Sequence, residues 1–382
     1  GWALFFEADR FPAPGYPESR FPDAVSWLVD EERRAAFEGE AADAEARTGA
    51  HREHFESTYY LTFVYLPPAD QVSRAERWLL EKMPDERGVD YRDHLDGFLT
   101  ETDRALDLLA DLMPEVSALD DGGTLTYLHQ TISTRRHAIR PPETPIYLDA
   151  VLVDEPLTGG LEPMLGEQHL RTLTVLGFPN LTTPGLLDDL NHLGLPYRWT
   201  TRFLPLDKTA ATRVLTRLRR QWFAKRKSIA ALLREIMFNE PTPLLDSDAD
   251  NKAFDADAAL QELGADHVSF GYITTTVVVW DSTRQGAADK QRAVERIIQG
   301  HGFTTIRETV NAVEAWLGSL PGHVYANVRQ PLVHTLNLGH LVPLSAVWAG
   351  PSRNTHLDGP PLLHAETSGS TPFRLSTHVG DV

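Results

Sequence analysis

An α+β fold is what this sequence predicts, on three observations. Segments rich in aromatic and β-branched residues alternate with stretches of helical spacing. The longest section runs strand-helix-strand, helices, strand-helix-strand, an order that lays helices against a sheet. The composition, 42% hydrophobic and 24% charged, is that of an ordinary globular chain and not a disordered one. At 382 residues it is too long for one ordinary core, so two to three domains are expected.

The first section is expected to run over 1–140. Residues 1–6 and 59–65 carry the aromatic and β-branched content of strands. Residues 71–84 and 88–113 have helical spacing, with Leu95, Leu99, Leu106, Leu109 and Met113 set to share a face, and Pro114 closes the second helix. The acidic, Ala-rich stretch 38–50 reads as a solvated helix or loop. Asp120-Asp-Gly-Gly123 and Thr158-Gly-Gly160 read as turns.

Pro141, Pro142 and Pro145 form a stiff break, and a central α+β section is expected over 146–320. Its predicted strands are 170–178, 197–206, 269–280 and 302–308. Its predicted helices are 184–193, 208–238, 253–263, 286–299 and 309–318. Gly318 sits where a left-handed helix cap would fall, and Pro321 bars continuation. This order suits sandwiches of ferredoxin-like type, with helices on one face of a sheet. The Pro-, Gly- and His-rich stretch 321–382 reads as an extended connection into another domain.

The net charge of −18 argues against wholesale coating of nucleic acid, though a local basic patch is compatible with it. With no cysteine, disulfides, thiolate chemistry and Cys-type zinc sites are excluded. No apolar run approaches the ~20 residues that a membrane-crossing helix needs. Gly1, not Met, opens the chain, and both ends are expected to continue in a longer protein.

Charge reverses sign in one place. From Lys208 to Phe238 there are nine Lys or Arg and a single acid, Glu235, behind Asp207 as the expected N-cap. Leu215, Trp222, Ile229 and Ile236 step by seven and, with Leu218 and Leu232, form an apolar face. Arg213, Arg220, Lys227 and Arg234 step by seven on the other side. Three readings stand: a solvated helix balanced by neighbouring acids, a docking face for an acidic partner or another subunit, and a nucleic-acid contact.

Catalytic motifs are missing. None of the six lysines is preceded by Gly, so no G-x-x-x-x-G-K-[ST] phosphate loop exists, and there is neither a dinucleotide fingerprint nor a nucleophile elbow. His51, His54 and Glu56 are close in sequence but lack the H-E-x-x-H arrangement, so an exposed polar stretch is expected there. His334 and His340 are expected to bond locally to the backbone. No catalytic, cofactor or metal residue is assigned. An independent enzyme whose site assembles only in three dimensions stays open.

Several segments carry a resemblance. They are 126–134 (TYLHQTIST), 157–169 (LTGGLEPMLGEQH), 196–203 (PYRWTTRF), 219–227 (RRQWFAKRK), 314–322 (EAWLGSLPG) and 325–331 (YANVRQP). In colinear order through essentially the whole chain they resemble the TrbE/VirB/CagE family of type IV secretion ATPases. The terminal stretch 370–382 resembles the strand leading into that family's phosphate loop. The resemblance implies an N-terminal assembly and docking portion, with a RecA-like motor beginning in 321–382 and continuing beyond it. In the whole protein it implies ATP and Mg as cofactors, assembly as a hexamer, type IV secretion partners at the cytoplasmic face of the inner membrane, and a role in pilus building and conjugal transfer. The chain by itself is then expected to be inactive on ATP, with no family catalytic residue to place.

Overall fold

The computed structural model describes residues 2–13, 15–16, 23–48, 54–66, 91–113, 116–144, 146–179, 182–225, 259–344, 349–367 and 372–377. It is a mixed α/β fold built on a large, largely antiparallel sheet, and it divides into two compact units. The first holds Gly1–Glu7, Tyr60–Leu187 and Trp199–Pro343; the second holds Ala8–Tyr59, Asp188–Arg198 and Leu344–Val382.

Strands β1 (Trp2–Ala13), β2 (His54–Tyr65), β3 (Leu157–Thr158), β4 (Met164–Leu165), β5 (Gln168–Gly177), β6 (Tyr197–Pro205) and β7 (Phe270–Asp281) lie in the order β2-β1-β6-β7-β5-β4-β3. Two further strands, β8 (Thr304–Arg307) and β9 (Leu332–His334), pair with β5 and β7 respectively. The centre of the sheet is the antiparallel pair β5–β7, in register from His169↔Asp281 to Val175↔Thr275. Nearly every residue of β7 is buried, so the strand reads as a continuous run of Thr and Val, not an alternation.

Helices α1 (Ala24–Thr48), α2 (Tyr91–Leu112), α3 (Asp121–Ile132), α4 (Leu148–Leu152), α5 (Lys208–Lys225), α6 (Arg284–Gly300), α7 (Ala312–Gly318) and α8 (Thr335–Leu341) accompany these strands. In the first unit, α6 packs on β5, β7 and β8. Thr283 caps α6 by accepting from the Gly286 N–H at 3.0 Å, and its buried face is Ala287, Gln291, Val294 and Ile298 at helical spacing. β7 and β8 are each antiparallel to β5, so they run parallel to one another with β5 between them and α6 as the crossover. From α7, Trp316 joins Leu320, Leu170, Val278 and Leu165 in a hydrophobic cluster.

Several expectations change in detail. The sheet is wider than a four-stranded sandwich, and the β5–β6 connection carries a 3₁₀ turn, Asp188–His192, where a helix over 184–193 was predicted. Asp120-Asp-Gly-Gly123 is the start of α3, not a turn: the Asp120 carboxylate accepts from the Gly123 N–H at 2.6 Å and caps it. Gly318 does not adopt a left-handed cap. It is glycine because a Cβ there would lie 2.9 Å from the Ala326 carbonyl oxygen, and the positive φ, +83°, belongs to Gly322. On α2, Leu95 and Leu99 are exposed, and the inward face runs through Phe98, which stacks on Trp2 at 5.7 Å. The predicted helix 71–84 lies outside the described residues.

In the second unit, β10 (Leu363–Ala365) and β11 (Phe373–Leu375) form an antiparallel pair. Asp23 ties this pair to α1. Its carboxylate caps the helix by accepting from the Ser26 N–H at 2.8 Å and also accepts from Arg374 at 3.0 Å. Burial would raise the Asp23 pKa, but the hydrogen bonds from Ser26 and Arg374 outweigh it and hold the carboxyl below its ordinary value. The same unit contains a half-buried polar knot. Arg10 donates to the Leu193 carbonyl and to Ser57 at 3.2 Å each, and Tyr197 donates to Asn191 at 3.0 Å.

Candidate partner-docking surface

The basic run 208–225 becomes helix α5 because its apolar residues fall on one face and Asp207 satisfies the first turn, accepting from the Ala210 N–H at 2.8 Å. Ala211 and Leu215 are buried in a cluster with Leu263, Val268 and Phe270, the first of these from the helical segment 259–264. This packing fixes the rotation of α5 and turns the opposite stripe outward.

That stripe contains Arg213, Arg217 and Arg220, all exposed. With Lys208, Thr209, Thr212 and Thr216 they line an open depression of about 920 Å³. The spacing of four and then three residues keeps the guanidiniums on one side of the helix. Among the described residues no carboxylate pairs with any of the three; Lys208, by contrast, is matched by Asp266 at 2.6 Å. The balancing acids that a merely solvated basic helix calls for are therefore not seen next to this stripe among the described residues. Guanidiniums in a row with no carboxylate beside them among the described residues suit a carboxylate- or phosphate-bearing partner, since each offers a planar fork of donors.

Arg213 and Arg220 thus sit together as the heptad spacing predicted, while Lys227 and Arg234 lie outside the described residues. Arg217 joins the stripe and was missed by counting sevens; the i, i+4 relation to Arg213 is the signal that finds it. His51 also lies outside the described residues, as does the side chain of His54. His334 caps α8, its Nδ1 accepting from the Asn337 N–H at 3.3 Å, and His340 Nδ1 meets the Thr182 hydroxyl at 2.7 Å. Both histidines have structural partners, one on the backbone as expected and one on a side chain. Among the described residues, side chains able to hold a metal ion converge at His129, His137 and Asp154.

Comparison with known proteins reaches both ends of the first 330 residues. The family model described as type IV secretion system ATPase VirB4/TrbE, N-terminal domain, matches residues 1–73. That of the CagE, TrbE, VirB family, component of type IV transporter system, matches 244–329. A conjugal transfer protein TrbE from Rhizobium radiobacter is 33% identical over 405 aligned positions, which cover 100% of this chain and 47% of that protein. In Sinorhizobium fredii the similarity falls on two proteins, described as the first and second portions of a probable conjugal transfer protein TrbE. The second portion is 37% identical over 68% of this chain and 39% of its own length. The first portion is 36% identical over 20% of this chain and 46% of its own length. The chain spans about half the length, or less, of these relatives.

Proposed function

Because the chain belongs to the CagE, TrbE, VirB family of type IV transporter components, we propose that it is the N-terminal assembly and docking part of a conjugation ATPase. The observation that carries this reading is the 33% identity to a conjugal transfer protein along 100% of the chain. The match of residues 1–73 to an N-terminal domain supports placing the ATP-hydrolysing motor C-terminal to it. The motor would bind ATP and Mg through a phosphate loop that this sequence lacks. On this reading residues 321–382 lead into a RecA-like motor domain, and the crossover β7–α6–β8 is the ferredoxin-like element of the docking part. The whole protein would work as a hexamer at the cytoplasmic face of the inner membrane. It would be held there by other secretion components; no helix among the described residues is long and apolar enough to cross a bilayer.

The stripe of α5 is the docking face, with Arg213, Arg217 and Arg220 meeting an acidic surface of a partner protein. The test is a triple Arg→Glu substitution at 213, 217 and 220 in the whole protein. Transfer frequency in a mating assay and co-purification of the secretion complex are the readouts. Reversing three charges opposite an acidic surface costs about 3 kcal/mol, or ~100-fold in affinity. Arg104→Glu, exposed on α2, is the control. Wild-type transfer and intact co-purification in the triple variant refute the docking face. Salt-steep DNA binding that the same substitutions abolish would assign the stripe to nucleic acid instead. ATP turnover by the pure chain would refute the division of labour.

A further inference from the structure

His129 lies on α3 and is fully buried, at 0% exposure. Its Nδ1 is 2.8 Å from the Leu152 carbonyl oxygen, one of the free C-terminal carbonyls of the short helix α4. That carbonyl can only accept, so Nδ1 carries a proton and Nε2 is the nitrogen left to meet a ligand. Nε2 has no hydrogen-bond partner among the described residues. Two exposed ligand-type side chains stand beside this imidazole. Asp154 Oδ2 is 3.8 Å away, and the His137 ring lies with its centroid 4.4 Å from that of His129. One ligand atom from each of the three residues lies within 4.8 Å of the others.

We propose that His129, His137 and Asp154 form a site for a divalent first-row transition-metal ion, Zn²⁺ being the best match. The geometry and the chemistry agree. Two imidazoles and one carboxylate form a borderline donor set that suits zinc and its neighbours better than Mg²⁺ or Ca²⁺. Four-coordinate zinc takes such donors at about 2.0–2.1 Å. Tetrahedral ligands at that distance lie roughly 3.4 Å apart, so the two exposed side chains must close by up to about 1.4 Å, within reach of side-chain rotation. The carbonyl behind His129 is the outer partner that metal-binding imidazoles ordinarily use to fix their tautomer. A buried polar atom without a partner is costly, and a metal ion would remove that cost. Three protein ligands leave a fourth position open on the solvent side, for water or a group from another protein. Bound there, the ion would staple α3, the segment after it and the end of α4.

The test uses the 382-residue chain, freed of metal by a chelator and titrated with Co²⁺ and then Zn²⁺. One equivalent of Co²⁺ should raise visible d–d absorption, be displaced by Zn²⁺, and raise the melting temperature with ion concentration. His137→Ala and Asp154→Asn alter exposed residues, so folding should survive; far-UV circular dichroism checks this. Each variant should weaken Zn²⁺ binding by at least ~100-fold, more than loss of an outer partner costs. His192→Ala is the decoy control. That exposed histidine stands 3.8 Å from Asp189 on the 3₁₀ turn, and its loss should leave the equivalent intact. The proposal is overturned if no saturable binding occurs at micromolar ion. It is equally overturned if the bound equivalent survives both His137→Ala and Asp154→Asn, which would leave His129 and Asp154 as a simple ion pair.

Discussion

Replacing Arg202 with Met tests how the first unit holds the Gly-Ser-Leu-Pro-Gly loop after α7. Arg202, on β6, is only 3% exposed and has no carboxylate against it among the described residues. Its guanidinium is instead spent on backbone. Nη1 donates to the carbonyls of Ala326 at 2.9 Å and His323 at 3.1 Å, with Gly318 at 3.5 Å, and Nη2 reaches Val324 at 3.4 Å. Phe5 lies beneath the cation, 5.3 Å from ring centroid to guanidinium carbon. Burial holds the Arg202 pKa below its ordinary value. One cation thus gathers the carbonyls of a loop that forms no ladder of its own.

The two short bonds are charge-assisted and contribute about 1.5–3 kcal/mol each. These figures are already net of the desolvation of donor and acceptor, so the pair amounts to at least about 3 kcal/mol. Met fills most of the volume, so the cavity term is small. The net expectation is a loss of about 3 kcal/mol, concentrated in the loop, where the carbonyls are left facing an apolar side chain. Urea unfolding measures the total, and hydrogen exchange at the amides of Gly318, Ser319 and Leu320 shows where it falls. Arg202→Lys should lose nearly as much, because a point ammonium does not span carbonyls set around a planar fork. A Met variant within ~0.5 kcal/mol of the parent, with unchanged exchange at those amides, would refute the reasoning.

Gly318→Ala sets a Cβ 2.9 Å from the Ala326 carbonyl oxygen and should cost about 1–3 kcal/mol by calorimetry. Combined with Arg202→Met it should cost less than the two separately, since both loosen the same loop. Asp281 is held at a pKa of about 2, first by the Lys290 hydrogen bond and then by the Thr283 N–H. Its folded value lies below the unfolded one, so its stabilisation is complete above about pH 4 and lost as pH falls through about 2. Asp281→Asn should therefore lack an acid-labile component of about 1 kcal/mol, the shift being discounted for solvent screening of this partly exposed pair, read from unfolding curves taken across that window. Substituting Glu at 213, 217 and 220 should leave thermal stability within ~0.5 kcal/mol per site, because all three side chains are exposed. A large drop in melting temperature would place them in the fold instead.

Much of the architecture was legible because the residues that form it speak locally. The Thr and Val run of β7 and the 7- and 11-residue intervals of Ala287, Val294 and Ile298 each declare their element without tertiary context. The failures share a cause. Gly122 and Gly123 argued against a helix, and only the Asp120 cap, a single hydrogen bond, made α3 begin there. Gly318 was conspicuous, but glycine serves both a left-handed backbone and a close approach, and the approaching carbonyl comes from Ala326, eight residues on. Leu95 and Leu99 have the spacing of a buried face, yet the face that Trp2 meets is set by a strand about ninety residues away.

The two candidate sites differ in legibility for a related reason. The basic stripe of α5 lies on one helix, so periodicity alone orders Arg213 and Arg220, and the packing of Ala211 and Leu215 then decides which side faces out. The metal cluster has no period to read. His129, His137 and Asp154 come from a helix, an extended segment and the residues after a second helix, and their intervals of eight and seventeen match no ligand spacing. The histidines close together in sequence, His51 and His54, were the ones that drew notice. What distinguishes His129 is a combination that sequence does not encode locally: full burial, one nitrogen committed to a helix-end carbonyl, and the other left without a partner. A donor set anchored on one buried nitrogen becomes visible only when every polar atom in the fold is asked where its hydrogen bond goes.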